Sequence, residues 1–271
     1  MTRAHHLEVG PEVLAGNGGL GRYVLLPGSV DRSARIARRF EGVEVHQNRR
    51  RLDVHVGSYR GVDFAAVPTG MGCPSVDIVV NELVTLGARR LVRVGTAGSM
   101  SPTVRVGDLV VATAAVRDEG TSEAYAVPGY PAVADPFLVA SMLHASGALG
   151  LDDRVHAGLV HSKDSFFGRE FGQGPLSATN RAYMDVLAAS GVLASEMEAA
   201  HLFVLGSVLR RGPTALRDVR TRAAALRVGA VLAVIGTTES GIASLAEEQA
   251  TEERLIDLAL AGLVHLAAAE A

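Results

Sequence analysis

Three short stretches restrict this chain more than any average property does: "LLPGSVDR" at 25–32, "VPTGMGCPS" at 67–75 and "RVGTAGS" at 93–99. Each runs from apolar, strand-forming residues into a glycine turn, as a buried strand does when its end lies close to backbone or ligand. Strands that are apolar on both faces need cover on both sides. Helical stripes alternate with them. Ala34, Ile36, Ala37 and Phe40 share one face of 31–40, and Val76, Val79, Val80, Leu83 and Val84 share one face of a helix that Ser75 is expected to cap and that ends near Gly87. "VHVGSYRGVDFAAVPTG" reads as two strands joined by a turn at Tyr59 to Gly61, and further strands are expected at 107–116, 156–161 and 228–236. Helices are expected near 136–147, 178–188 and 196–210. A last one is expected to open at Thr251, where Glu252 and Glu253 suit the positive end of the helix dipole. The alternation predicts an α/β fold, a largely buried mixed sheet flanked by helices, in a chain long enough for one large domain or two small ones.

The third stretch poses a chemical question, because Arg93 sits inside an apolar run of Leu91, Val92 and Val94. A buried guanidinium needs an anion, since an unpaired charge in the interior is costly. That anion is either a carboxylate of the protein or a ligand held where strand meets turn. The 271 residues are 48% hydrophobic and 20% charged, with a formal net charge of −3, which gives no general reason to expect nucleic acid or an anionic membrane as partner. Basic clusters such as "NRRR" at 48–51 therefore need a local explanation. The lone Cys73 excludes an intrachain disulfide, and neither the opening "MTRAHHLEVGPEV" nor any later run resembles a signal core or a membrane span, so a cytoplasmic location is expected. None of the glycine turns matches the dinucleotide or P-loop pattern, so no nicotinamide cofactor or nucleoside triphosphate is indicated. Glycine turns and Arg32, Arg49 and Arg93 together can form a phosphate cradle, since guanidinium groups offer forked donors to phosphate oxygens; three ordinary ion pairs are the alternative.

A fourth stretch, "ASEMEAAHL" at 194–202, reads locally as a helix start, with Ser195 as cap and Glu196 and Glu198 in the first turn. Taken in order, "PGSVDR", "PTGMGCPS", "RVGTAGS" and "SEMEAAHL" resemble the nucleoside phosphorylase-I family, and within it the uridine phosphorylases. The likeness runs from about His6 to about Thr238. It implies that residues 1–271 form a single domain whose mixed sheet closes partly into a barrel, and homo-oligomers, dimers or trimers of dimers, with sites shared between subunits. It also implies phosphate-dependent cleavage of the N-glycosidic bond of uridine or a related pyrimidine nucleoside, giving free base and (deoxy)ribose 1-phosphate. The enzyme would be a pentosyltransferase with inorganic phosphate as co-substrate and no cofactor.

By the same resemblance Gly28, Arg32, Arg93 and Thr96 match phosphate ligands, and Arg49 matches one that arrives from the adjacent subunit. His6, also from the neighbour, matches a residue reaching the sugar 5′-hydroxyl. Met197 and Glu198 match residues that grip the ribose, and Arg93, Thr96 and Glu198 are the expected catalytic groups. The base site departs from the family. Asp164, Ser165, Phe166 and Phe167 agree with its pattern, and Phe166 can stack on a base, but the expected glutamine and arginine are met only by Arg169 and Gln173 at shifted spacing. Thr237 and Thr238 stand where bacterial purine phosphorylases carry a proton-donating aspartate. Arg50 replaces an interfacial potassium ligand, so no metal is expected, and 210–227 is longer than its family equivalent. A purine nucleoside phosphorylase, a nucleosidase or an inactive nucleoside-binding homologue are the alternatives.

Overall fold

A computed structural model describes residues 3–209, 225–237 and 241–270. Among these the strands are β1 (Tyr23–Pro27), β2 (Glu41–His46), β3 (Val54–Tyr59), β4 (Val62–Ala66), β5 (Arg90–Ser99), β6 (Leu109–Asp118), β7 (Ala132–Val133), β8 (Val155–Lys163), β9 (Ala194–Glu196), β10 (Arg227–Thr237) and β11 (Gly241–Ile242). The α-helices are α1 (Val30–Ala37), α2 (Cys73–Thr85), α3 (Pro136–Ala148), α4 (Ser177–Ala189), α5 (Ala199–Val208) and α6 (Leu245–Glu270). All strands belong to one mixed sheet. β5, β10, β6, β8 and β9 close on one another in a ring, while β1, β4, β3 and β2 extend the sheet outward from β5. The α/β fold with a partly barrel-like sheet is therefore as expected.

The path of β5 determines where the sheet splits. Its first half, Arg90 to Val94, pairs in parallel with β1, and its end, Gly98 and Ser99, pairs antiparallel with β9, while β10 follows it throughout. Around Gly95 to Ala97 the strand has left β1 and has not yet met β9. The sheet splits there, at the carboxyl ends of parallel strands, which is where open α/β sheets place their ligands.

Helices cover both faces, as the two-sided apolar strands require. Val24, Leu26 and Leu91 pack with α2 and α5, whereas Tyr23, Leu25, Val92 and Val94 pack with α1, α3 and α6. Residues 199–206 of α5 are all buried, consistent with an apolar, Ala- and Leu-rich sequence that has no polar face to show to water. Among the described residues no helix is long and apolar enough to cross a membrane.

Three helix starts differ from the expectation. α2 opens at Cys73 after Gly72, and the Ser75 hydroxyl turns back to the Thr69 carbonyl instead of capping. α5 opens at Ala199 rather than 196, because Ser195 and Glu196 are claimed by β9 pairing with β5 and β8. α6 opens at Leu245, six residues before Thr251. There Ser244 Oγ accepts from the Glu247 backbone N–H at 3.4 Å, and the Glu247 carboxylate accepts from the Ser244 backbone N–H at 3.0 Å and from its hydroxyl at 2.6 Å. This is a reciprocal capping box, legible as Ser-x-x-Glu. The long 210–227 segment lies mostly outside the described residues, as does Thr238.

Candidate active site

The first two glycine turns are laced together. The Thr69 N–H donates to the Pro27 carbonyl at 2.9 Å, and a Cβ placed on Gly28 would lie 3.5 Å from the Gly70 carbonyl oxygen. Gly70 and Gly72 have φ of +76° and +84°, left-handed values that admit few other residues, and so the turn can present its amides inward. The Gly72 N–H donates to Glu198 Oε1 at 2.7 Å. Glu198 Oε2 pairs with Arg93, whose Nε donates to Glu196 Oε2 at 2.9 Å. The four stretches that stand out in the sequence thus meet at one point, below the split in the sheet.

Arg93 is buried beside two carboxylates, yet its Nη1 is buried with no partner among the described residues. Gly95 makes the pose possible. A Cβ there would stand 2.9 Å from Arg93 Nε and 3.0 Å from Cζ, so the guanidinium folds back along its own strand only over a glycine. The two carboxylates are not equivalent. Burial opposes the Glu196 charge, but the Arg93 guanidinium, the Ser162 hydroxyl and the N–H groups of Ala199 and Glu198 outweigh it and hold Glu196 below the usual carboxylate range. Burial pushes the Glu198 carboxyl up; Arg93 draws it down, and the neighbouring Glu196 charge raises it further. The Glu196 carboxylate also accepts from the N–H groups of Glu198 and Ala199 at the start of α5, at 2.9 and 3.0 Å.

The remaining expected phosphate ligands lie at varying distance from that point. Ser29 caps α1, which positions Arg32 in a buried place, where Nε donates to Glu252 Oε1 at 2.9 Å, Nη2 pairs with the same oxygen, and Nη1 donates to the Val94 carbonyl at 3.2 Å. Thr96 is half-buried on β5 opposite Ala233 of β10. Arg49 is 82% exposed and paired with Glu8, so within one chain it does not join the group. His6 is held by Glu82 of α2, which accepts from its backbone N–H at 2.9 Å and contacts Nδ1 at 2.7 Å. Met197 is half-buried, and its carbonyl accepts from the Cys73 thiol at 3.2 Å.

In the base-site loop, Phe166, Phe167 and Phe171 form an exposed aromatic cluster, with Phe166 5.4 Å from Phe167 and 5.1 Å from Phe171. Arg169 does not point free donors into it: Nε and Nη2 pair with Asp118 at 2.8 and 3.0 Å, Nη1 donates to Asn180 at 2.8 Å, and the guanidinium lies 4.5 Å over the Tyr183 ring. Gln173 is exposed, its backbone N–H bound to the Phe167 carbonyl. Glu196 and Glu252, which the sequence suggests only as helix-start acids, and Lys163, Glu170 and Asp118, which it does not mark, form ion pairs with or beside these groups. The signal for two of them was present in "HSKDSFFGRE", a lysine closing an apolar strand and a glutamate seven residues on.

The family model described as the phosphorylase superfamily matches residues 22–211, which span β1 to α5 and all four converging stretches. The chain belongs to the phosphorylase superfamily. Within that superfamily it is 38% identical to a uridine phosphorylase of Thermococcus kodakarensis over 200 residues, 72% of each chain. It is 39% identical to a uridine phosphorylase of Treponema pallidum over 218 residues, 80% of this chain and 78% of that one. A guanosine phosphorylase of Halorubrum lacusprofundi is 33% identical over 231 residues, 85% of each chain.

Proposed function

We propose that this member of the phosphorylase superfamily cleaves the N-glycosidic bond of uridine or a related pyrimidine nucleoside with inorganic phosphate, releasing free base and (deoxy)ribose 1-phosphate. The observation that carries the reading is the buried Arg93 whose Nη1 has no partner among the described residues, at the point where the four stretches converge. Phosphate is the anion that this nitrogen awaits, with Gly28, Thr96 and Arg32 around it and Arg49 supplied by a second subunit. Uridine phosphorylases of two organisms are among the similar chains, which favours uridine.

Catalysis then rests on placement and charge. Glu196 fixes Arg93 from one side, so the guanidinium meets phosphate already oriented. When ribose enters, Glu198 exchanges Arg93 for the sugar 2′- and 3′-hydroxyls, while Met197 lines the sugar and His6 of a neighbouring subunit reaches its 5′-hydroxyl. A phosphate oxygen forms the new bond to the anomeric carbon from the face opposite the base, as the bond to the base nitrogen breaks and its electron pair leaves with the base. Glu198 stabilises positive charge on the sugar in between. No side chain becomes a covalent nucleophile and no cofactor takes part. The working enzyme is a cytoplasmic homo-oligomer, at least a dimer. Replacing Arg93 with alanine should lower phosphorolysis by at least about 100-fold, the scale of losing one preorganised charge donor. Turnover and thermal unfolding measured side by side check this, and full activity in the folded variant would remove Arg93 from the phosphate site.

A further inference from the structure

The loop after β8 carries an ion pair that the reaction described above leaves unused. Lys163, the last residue of β8, is buried; its ammonium donates to Ser195 Oγ at 2.7 Å, lies 2.7 Å from Glu170 Oε2 and reaches the Glu196 carbonyl at 3.5 Å. Ser195 Oγ contacts His161 Nδ1 at 3.0 Å, and His161 Nε2 lies 2.9 Å from Asp118 Oδ2, the carboxylate that also holds Arg169. Two adjacent loop residues, Arg169 and Glu170, are thus moored to one buried polar chain. The mooring fixes where the second oxygen of Glu170 goes. A Cβ on Gly98 would meet Glu170 Oε1 at 2.9 Å, so the carboxylate lies directly on β5, two residues past Thr96 and one ammonium away from the strand that carries Glu196. The Phe166 ring stands 5.9 Å from the same ammonium.

We infer that Glu170 reads the base, and that it selects bases carrying an N–H on the Watson–Crick edge. This rests on the phosphorolysis reading of the site. Lysine occupies Oε2, which leaves Oε1 as an acceptor over the glycine floor. Uracil offers N3–H and guanine or hypoxanthine N1–H to such an acceptor, whereas cytosine and adenine present a ring-nitrogen lone pair at that place and are repelled. The Lys163 charge keeps the pair neutral, so Glu170 does not oppose the negative charge that builds on the departing base. Arg169, committed to Asp118 and Asn180, serves to position the loop.

The test compares wild type with Glu170→Gln and Glu170→Asp, using phosphorolysis of uridine, cytidine, inosine and adenosine together with calorimetric binding of free uracil and cytosine in phosphate buffer. Wild type should prefer uridine to cytidine and inosine to adenosine by at least about 100-fold, as a site built around one hydrogen bond does. Glu170→Gln, whose amide both donates and accepts, should lower the melting temperature because it neutralises the partner of the buried Lys163, and in the protein that stays folded it should narrow both ratios by at least about tenfold. Glu170→Asp, with the carboxylate drawn back, should lose activity on uridine without admitting cytidine. Unchanged ratios in a folded Glu170→Gln, or equal cleavage of uridine and cytidine by wild type, would overturn the assignment. If wild type cleaves no nucleoside, the phosphorolysis reading fails and binding decides on Glu170. A preference for uracil that Glu170→Gln abolishes sustains it; binding of neither base, or a preference that the variant keeps, refutes it.

Discussion

At the scale of single residues, Arg93 gives one of the two answers to the question that its place in an apolar strand raises, and the proposed phosphate would give the other. It pairs with two protein carboxylates, and among the described residues its Nη1 has no partner. What makes this possible is Gly95, since alternate residues of a strand share a face and the guanidinium lies back over the next position on its own side. Gly95→Ala should therefore displace Arg93 rather than only crowd it, destabilising the fold by about 1–3 kcal/mol as overpacking does. It should also weaken phosphate binding by a larger factor than the stability loss explains. Phosphate titrations and denaturant unfolding of the same preparation separate the two, and a variant that loses stability alone would leave Arg93 undisturbed. The pairing Arg-x-Gly was visible in the sequence, and so was the candidate role of Arg93. The identities of its carboxylate partners were not, because Glu196 and Glu198 lie more than a hundred residues away and only the pairing of β5 with β9 brings them near.

At the scale of elements, the sequence showed the strands that are apolar throughout and the helices with a clear stripe. It misled where two local signals compete. Ser195-x-x-Glu198 has the form of a capping box, but Ser195 spends its hydroxyl on His161 and Lys163, and the three residues of β9 are too few to show an alternation. The opposite holds at α6, where the capping box at Ser244 starts the helix six residues before the acidic run at Thr251 that suggests its opening. The far end of α6 is latched to the sheet by Glu270, which accepts from Tyr23 Oη at 2.6 Å and from Arg90 and Arg227 at 2.7 to 3.0 Å. Burial opposes its charge, but bonds from Arg90 and Tyr23 and the charges of Arg90 and Arg227 hold its carboxyl below the ordinary range. A depressed folded-state pKa contributes stability that is complete above the unfolded value and is lost as pH falls through the folded one. Glu270→Gln should thus cost roughly 2–4 kcal/mol at pH 7, because it takes away the carboxylate charge that Arg90 and Arg227 share. Its deficit against wild type should shrink as the pH is lowered below the ordinary carboxylate range. Unfolding curves across that range check the sign; a deficit that grows with acid would show that the latch does not depend on the Glu270 charge.

At the scale of the whole molecule, Arg49 is exposed beside Glu8 and His6 is partly buried against Glu82, and the proposed site draws both from a neighbouring subunit. If both serve a neighbouring site, mixing inactive Arg49→Ala with inactive Arg93→Ala subunits should restore a measurable fraction of activity, since a mixed dimer contains one site with both arginines. A competent monomer by sedimentation would contradict the shared site. The most direct measurement of all is the fate of uridine with the unmodified protein, in matched reactions with and without inorganic phosphate, followed by ³¹P NMR and chromatography of the base. Phosphorolysis predicts that uracil appears only when phosphate is present, with one sugar 1-phosphate formed for each uracil released. Equal uracil release without phosphate, with free ribose as the product, would contradict it.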